Sequence, residues 1–182
     1  MFGVAALATM LFGMSPAPAS AQGVDLGLAY QFTRFSFDGG SDSVPLGFNV
    51  DAVFPLNAPV DLVAEVGWAR KSEEDFGFDV TNTALTFGAG VRFPFETMTN
   101  FSPYVQATGG IQRDSGSVEF DGEEVDSGSD SNPFFAIDGG VTVPMNDTWR
   151  FLAQVGYRRI FADEGFNAIR FLAGVRVMVG GN

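Results

Sequence analysis

Residues 85–94 read Leu-Thr-Phe-Gly-Ala-Gly-Val-Arg-Phe-Pro. Every second residue from Leu85 to Phe93 is apolar, and the residues between them are Thr, Gly or Arg. A period of two residues is that of a β-strand, whose successive side chains point to opposite faces. The stretch therefore predicts a strand with one apolar face and one face of small and charged side chains, ended by Pro94.

The same alternation recurs along the chain. Together with the first stretch it covers 24–32, 44–54, 60–68, 85–93, 105–111, 135–143, 149–157 and 169–177. Short turns are expected after every second strand, at Pro55, Pro94 and Pro144. Longer polar segments separate the other strands, and we expect loops at 38–43, 70–79, 113–133 and 161–166. This alternation of short and long connections predicts an all-β protein, an eight-stranded antiparallel up-and-down barrel.

The face opposite the apolar one indicates what surrounds the barrel. It carries glycine on every strand, and its charges are five acids and five arginines: Asp25, Asp51, Asp61, Glu65, Asp138, Arg92, Arg150, Arg158, Arg170 and Arg176. A soluble barrel such as a lipocalin buries its apolar face, whereas a membrane barrel turns it towards lipid. Because a narrow interior needs small residues and paired charges, the composition favours a transmembrane barrel over the soluble alternative.

We expect the interior charges to form a packed network of ion pairs that stabilises the barrel. Arginine suits such a network, since its planar fork of donors matches a carboxylate. The predicted members are Asp51, Glu65, Arg92, Asp138, Arg150, Arg170 and Arg176.

Aromatic residues are expected to form two girdles at the membrane interfaces. The girdle at the turn end is predicted to contain Phe54, Phe93, Phe95, Phe101, Tyr104 and Trp149. The girdle at the other end is predicted to contain Tyr30, Phe32, Trp68, Phe134, Phe135, Tyr157 and Phe161.

The N-terminus predicts export. Residues 1–21 contain no charge, an apolar run from Phe2 to Met14, and the small-residue pattern Ala19-Ser20-Ala21. This is typical of a secretory signal peptide, although no Lys or Arg precedes the run. A membrane anchor is the alternative, but the run is shorter than the roughly 20 residues that a spanning helix needs. We therefore expect a signal peptide at 1–21 and one barrel domain at 22–182.

Composition excludes several functions. The chain has no Cys and no His, so it has no disulfide, no thiol nucleophile and no imidazole base. Its net charge of -12 argues against a nucleic-acid partner, because phosphates select basic surfaces. We expect neither catalysis nor a cofactor.

The acidic segment 113–133 raises one weak possibility. Its carboxylates are oxygen ligands of the kind that Ca²⁺ takes, at Asp121, Glu123, Glu124, Asp126 and Asp130. Their order lacks the spacing of an EF-hand, so a solvated and mobile loop is the favoured interpretation.

Two motifs suggest a family. Pro103-Tyr104-Val105-x-Ala107-x-Gly109-Gly110 and Phe87-Gly88-Ala89-Gly90-Val91 resemble strands of the OmpA/OmpX-like small outer-membrane β-barrels, and the resemblance covers nearly all of 22–179. It implies a monomer in a Gram-negative outer membrane, exported through the periplasm, in contact with membrane lipid, lipopolysaccharide and the barrel assembly machinery. Members usually end the last strand with an aromatic residue, but this chain ends it with Val177-Met178-Val179.

The sequence indicates the function of the protein less directly than its fold. Eight strands enclose a space that side chains nearly fill, which favours a structural or surface-interaction protein of the adhesion type with an unknown surface ligand. The alternative is a narrow channel for ions or small apolar solutes. Small outer-membrane barrels with enzymatic activity have active sites built around a His, and this chain has no His.

Overall fold

The computed structural model describes residues 23–37, 40–56, 58–75, 78–95, 100–120, 123–162 and 165–180. The predicted signal peptide lies outside these residues. Within the described ranges no helix is long and apolar enough to cross a membrane. The strands are β1 Val24–Phe37, β2 Gly40–Val44, β3 Leu46–Phe54, β4 Asp61–Asp75, β5 Phe78–Pro94, β6 Ser102–Phe120, β7 Glu123–Pro144, β8 Trp149–Ile160 and β9 Phe166–Val179.

The strands form a closed antiparallel barrel. Each strand from β3 to β9 pairs with the next in sequence, and β1 pairs with both β3 and β9. The closing β1–β9 ladder runs from Val24 opposite Val179 to Ser36 opposite Asn167. Because β1 and each strand from β3 to β9 pair on both sides, the barrel wall is closed among the described residues.

Strands β2 and β3 act as a single barrel strand interrupted at Pro45. Thr33 of β1 lies opposite Val44, and Tyr30 lies opposite Phe48, so the β2–β3 side contains one more residue than the β1 side. An extra residue of this kind is a β-bulge, and proline suits it because it has no backbone N–H to donate. The Tyr30 hydroxyl donates to the Pro45 carbonyl oxygen. The wall therefore has eight strands, as predicted.

The apolar face points outward, which confirms the transmembrane arrangement over the soluble one. In β3, Phe48 and Val50 are about half exposed (45% and 51%), whereas Asn49 and Asp51, which alternate with them, are buried. The same alternation appears in β8 and β9. A belt of exposed Leu, Val, Ile and Phe side chains with polar side chains buried inside matches a barrel whose solvent is lipid.

The short turns lie where prolines predicted them. After Pro144, the Asn146 side-chain oxygen accepts hydrogen bonds from the backbone N–H groups of Thr148 and Trp149. This local bond replaces strand pairing and reverses the chain.

Three of the four predicted loops are largely strand. β6 and β7 stay paired through the segment 113–133 until Phe120 lies opposite Glu123, with one irregularity after Val118. β4 and β5 pair up to Asp75 opposite Phe78, and β2 occupies most of 38–43. These segments lack apolar alternation because both of their faces lie outside the membrane, and their pairing continues the register of the wall.

Two aromatic predictions were wrong. Tyr104 and Phe134 were expected in the girdles, but both side chains point inward and are nearly fully buried. They occupy inward positions in the alternation of β6 and β7, whereas the neighbouring Phe135 faces outward and is 44% exposed.

Candidate functional site: a filled interior and a projecting hairpin

A cluster of four charged side chains crosses the middle of the barrel, and we name it the plug: Glu65 of β4, Asp138 of β7, Arg158 of β8 and Arg170 of β9. Arg170 donates to both Glu65 oxygens, from Nη1 and Nη2, at 3.0 Å each. It also donates to both oxygens of Asp138, from Nε and Nη2, at 2.8 Å each. Arg158 Nη2 donates to Glu65 Oε1 at 3.0 Å. Two acids and two arginines therefore form a neutral cluster that joins four strands.

The plug is almost completely shielded from solvent. The side chains of Glu65, Asp138 and Arg170 are at most 1% exposed, and that of Arg158 is 4% exposed. Charges removed from water in this way are stable only when paired and hydrogen bonded. The bidentate geometry of Arg170 on two carboxylates supplies that pairing.

Inward glycines make room for the buried acids. Gly27 lies opposite Asp51, Gly88 opposite Glu65, and Gly156 opposite Asp138 in the cross-strand register. A β-carbon added at Gly156 would lie 2.7 Å from the Asp138 carboxyl carbon, and one at Gly88 would lie 3.1 Å from Cγ of Glu65. Each buried carboxylate therefore occupies the space that a side chain on the opposite residue would fill if that residue were not glycine.

Two inward aromatic rings support the arginines. The guanidinium carbon of Arg158 lies 4.1 Å from the centroid of the Phe134 ring, and that of Arg92 lies 4.0 Å from the Tyr104 ring. The Tyr104 hydroxyl also donates to Gln154 Oε1 at 2.7 Å. Stacking on a ring face favours a buried cation while it covers the faces that carboxylates leave free.

A second cluster lies nearer the short turns, and we name it the turn-end cluster. Asp51 Oδ2 accepts from Arg92 Nη2 at 3.1 Å and also from Arg176 Nη2. Arg92 donates in addition to Gln106 Oε1, at 2.6 Å from Nη2. At the open mouth below this cluster, Arg150 Nη1 donates to Asp25 Oδ2 at 2.9 Å.

The structure brings six of the seven predicted network residues into these two clusters. Arg150 does not join them, because its side chain lies at the mouth and is 35% exposed. Arg158 was counted on the inward face but was not chosen for the network, although it bonds Glu65. The alternation of β8 could have indicated that Arg158 belongs to the network, since Arg158 lies two residues after the inward-facing Gly156.

Two cavities open on either side of the plug. The cavity at the hairpin end has a volume of about 570 Å³ and is lined by Asp42, Lys71, Asp114, Asp130, the serines of β6 and β7, and Phe166. The cavity at the turn end has a volume of about 470 Å³ and is lined by Asp25, Asp61, Arg92, Arg150 and Arg176. The filled layer between them belongs to the plug.

The β6–β7 hairpin projects beyond the barrel rim, which is the level where β3 begins and β8 ends. We name the part from Arg113 to Pro133 the long hairpin. β7 pairs with β8 only from Phe134 opposite Ile160 towards the turns. Among the described residues, no strand pairs with the other edge of β7 between Glu123 and Asn132. The long hairpin therefore presents a free backbone edge outside the membrane.

One ion pair fixes β2 to β4 beyond the rim. Lys71 Nζ lies 2.5 Å from Asp42 Oδ1 and 2.9 Å from Glu73 Oε1. The hydrogen bond from Lys71 holds the pKa of Asp42 below its usual value. The hydrogen bonds to Asp42 and Glu73 raise the pKa of Lys71.

The five possible cation ligands are only partly described. Asp121 lies outside the described residues, and only the backbone of Glu123, Glu124 and Asp126 is described. Asp130 is exposed and lies opposite Asp114. Within the part of the chain that the structure covers, no three acidic side chains are placed to hold a metal ion. A cation site in the long hairpin stays a prediction.

The family model described as "Outer membrane protein beta-barrel domain" matches residues 4–180. The chain belongs to this family. Its barrel is therefore an outer-membrane barrel, in agreement with the resemblance found in the sequence. Comparison with curated protein sequences gives no match.

Solved structures of small outer-membrane barrels share the fold. The chain is similar to Neisserial surface protein A, with 17% identity over 87% of this chain and 99% of that one and a TM-score of 0.67. It is also similar to Ail, the attachment invasion locus protein of Yersinia pestis, solved with the heparin analogue sucrose octasulfate (17% identity, 85% and 99% covered, TM-score 0.61). A major outer membrane protein of Thermus thermophilus gives 11% identity, coverage of 84% and 99%, and a TM-score of 0.58. At these identities the likeness concerns the fold.

Proposed function

We propose that the protein is a surface-interaction protein of the adhesion type, anchored by a closed barrel and binding its partner through the long hairpin. The observation that carries this proposal is the continuation of paired strands past the rim, where the free edge of β7 is exposed. Rigid scaffolds commonly carry recognition in the segments at their ends. Two proteins of similar structure, a surface protein and an attachment protein, support the same assignment.

The charge of the long hairpin supports a basic partner. Between Arg113 and Pro133 the sequence has seven acidic residues and Arg113 as its single cation. Ail was solved with a sulfated heparin analogue, which is an anion. An acidic hairpin repels such a ligand and attracts a positively charged protein surface. A free strand edge can in addition pair with an extended segment of the partner.

We also propose how the barrel is oriented in the outer membrane and how it reaches that membrane. The hairpins face the cell exterior among lipopolysaccharide and the turns face the periplasm, through which the chain is exported. The assembly machinery inserts it as a monomer into the outer-membrane lipid. Every acid of the plug is paired with arginine, so we assign the interior a stabilising role and no catalysis.

Binding by a hairpin-truncated variant tests the proposal. The variant replaces residues 114–130 with a two-residue turn between the partners Arg113 and Ser131, which leaves the paired wall of the barrel intact. Both proteins are placed in lipid nanodiscs and titrated with a fluorescent Lys-rich peptide and with fluorescent heparin. We expect the intact protein alone to bind the peptide, more weakly as salt rises, and neither to bind heparin. Equal binding of the peptide by both proteins would contradict the assignment.

A narrow channel is the second candidate, because cavities of about 570 and 470 Å³ approach the plug from both ends. Planar-bilayer recording of the purified protein separates the two functions. A surface-interaction protein with a filled interior gives no reproducible unitary current steps. Such steps, if they persist in the hairpin-truncated variant, would replace the proposed function with the channel.

A further inference from the structure

Three neighbouring strands place Asn49, Gly67 and Thr86 in one row inside the barrel. Asn49 of β3 lies opposite Gly67 of β4, and Gly67 lies opposite Thr86 of β5. All three are inward positions in the alternation of their strands. Gly67 has no side chain, so a small space remains between its two polar neighbours.

Three buried polar atoms converge on this space. A β-carbon at Gly67 would lie 3.5 Å from Asn49 Nδ2 and 3.7 Å from Gln31 Oε1, and it would overlap Thr86 Oγ1. Gln31, Asn49 and Thr86 are 5%, 3% and 4% exposed, and none of these three atoms has a hydrogen-bond partner among the residues that the structure describes. The Nδ2 is a donor, the Oε1 an acceptor, and the hydroxyl can be either.

Neighbouring hydrogen bonds fix the direction of Gln31. Its Nε2 donates to Thr33 Oγ1 at 3.0 Å, which leaves the Oε1 atom facing the space above Gly67. A buried polar atom without a partner destabilises a protein, and native structures usually satisfy such atoms with protein groups or ordered water.

The space has the size of one water molecule. It belongs to a cavity of about 10 Å³ lined by Gln31, Gly67 and Thr86, together with Arg158 and Arg170 of the plug. A cavity of roughly 10–15 Å³ with two to four polar partners is sufficient for one water. Phe35, Ala69 and Ala84 line both this cavity and the larger one at the hairpin end, so the two cavities are neighbours.

We propose that the space above Gly67 binds a single structural water molecule. The water accepts a hydrogen bond from Asn49 Nδ2 and donates to Gln31 Oε1 and Thr86 Oγ1. It links β1, β3 and β5 across the uncharged side of the interior, beside the ionic plug. It exchanges with solvent through the cavity at the hairpin end.

A pair of matched threonine variants tests the site. Thr108 resembles Thr86, since its hydroxyl is also buried and has no hydrogen-bond partner in the described part of the chain, but it does not line this cavity. Thr86→Val removes one partner of the bound water and is expected to shift the folding equilibrium towards the unfolded state by about fivefold or more. Thr108→Val removes a hydroxyl that binds nothing, so its equilibrium is expected to stay unchanged or to move towards the folded state. Urea titrations in lipid vesicles give both equilibria.

A direct measurement accompanies the titrations. In nanodiscs, nuclear Overhauser contacts between water and the Gly67 amide are expected in the natural protein and absent in Gly67→Ala, whose methyl group occupies the site. If the natural protein shows no such contact, or if Thr86→Val behaves like Thr108→Val, the water site is wrong. Direct hydrogen bonds among Gln31, Asn49 and Thr86 would then satisfy the three atoms.

Discussion

At the scale of single residues, the interior contains cross-strand pairs in which one residue has a large side chain and the other is glycine. Asp51, Glu65 and Asp138 each face a glycine on the adjacent strand. Tyr104 follows the same rule, since it lies opposite Gly140, where a β-carbon would lie 2.9 Å from its Cε1 atom. The glycine content of the chain is therefore a packing requirement of a narrow barrel.

Alanine at Gly156 tests this requirement. The new methyl group would meet the Asp138 carboxyl carbon at 2.7 Å, and Asp138 cannot move without losing its bonds to Arg170. We expect Gly156→Ala to lower the free energy of unfolding by about 1–3 kcal/mol, as overpacking of a filled core does. Urea unfolding in lipid vesicles, followed by tryptophan fluorescence, measures this value.

Gly139→Ala is the matched control. Gly139 lies on β7, and a β-carbon there would have no neighbour within 4 Å. Alanine at such a position is expected to be neutral or to stabilise by up to about 1 kcal/mol, because it restricts the unfolded chain. Equal destabilisation by both substitutions would show that glycine is needed for backbone reasons and not for space.

The sequence predicted these inward positions but not their partners. Period-two alternation places Glu65 and Gly88 on the same face, whereas their opposition depends on the register between β4 and β5. Tyr104 and Phe134 were assigned to the girdles by residue type, and the alternation of their own strands places them inside. At such positions the phase of the strand is a better guide than the usual preference of aromatic residues for interfaces.

At the scale of elements, strand pairing continues where apolar alternation stops. The alternation marks only the part of each strand that lies in lipid, so it predicted loops at 70–79 and 113–133. Backbone hydrogen bonds do not require an apolar face, and the hairpins therefore extend in register beyond the rim. The number of strands was predictable from sequence, but the length of the projecting sheet was not.

The ion pair between Asp42 and Lys71 gives a prediction for the elements beyond the rim. A lowered pKa at Asp42 means that the pair stabilises the contact of β2 with β4 above pH 3.8 and loses this effect as the pH falls through the folded-state pKa. A raised pKa at Lys71 means that the effect persists through pH 10.5 and is lost above it. Carboxyl ¹³C NMR should show Asp42 titrating below 3.8, and near its usual value in Lys71→Met. Identical titration midpoints would show that Lys71 does not bond Asp42 in the membrane-bound protein.

At the scale of the whole molecule, charge is separated between two environments. In the plug and the turn-end cluster, the arginines are paired with buried carboxylates, whereas most of the acidic excess of the sequence belongs to the segments beyond the rim, above all to the long hairpin. The interior is thereby closed by paired charges, and the acidic hairpin is free to meet a partner. The plug joins β4 to β7, β8 and β9, which come much later in the sequence, so it couples both halves of the barrel.

Removing one plug acid should therefore weaken the whole barrel. Glu65→Gln leaves Arg158 and Arg170 with a single buried carboxylate between them, and breaking a buried pair in this way costs about 3–5 kcal/mol. Asp25→Asn removes the same charge from the pair with Arg150, whose side chain is 35% exposed, and should cost less than about 1 kcal/mol. The shift in gel migration between unheated and boiled samples, followed along a urea series, gives the midpoint for each protein. Because both variants lose one acid, they change the net charge equally. Similar midpoints for the two variants would mean that the plug does not hold the barrel together, and that the wall alone, closed by β1 and β9, determines its stability.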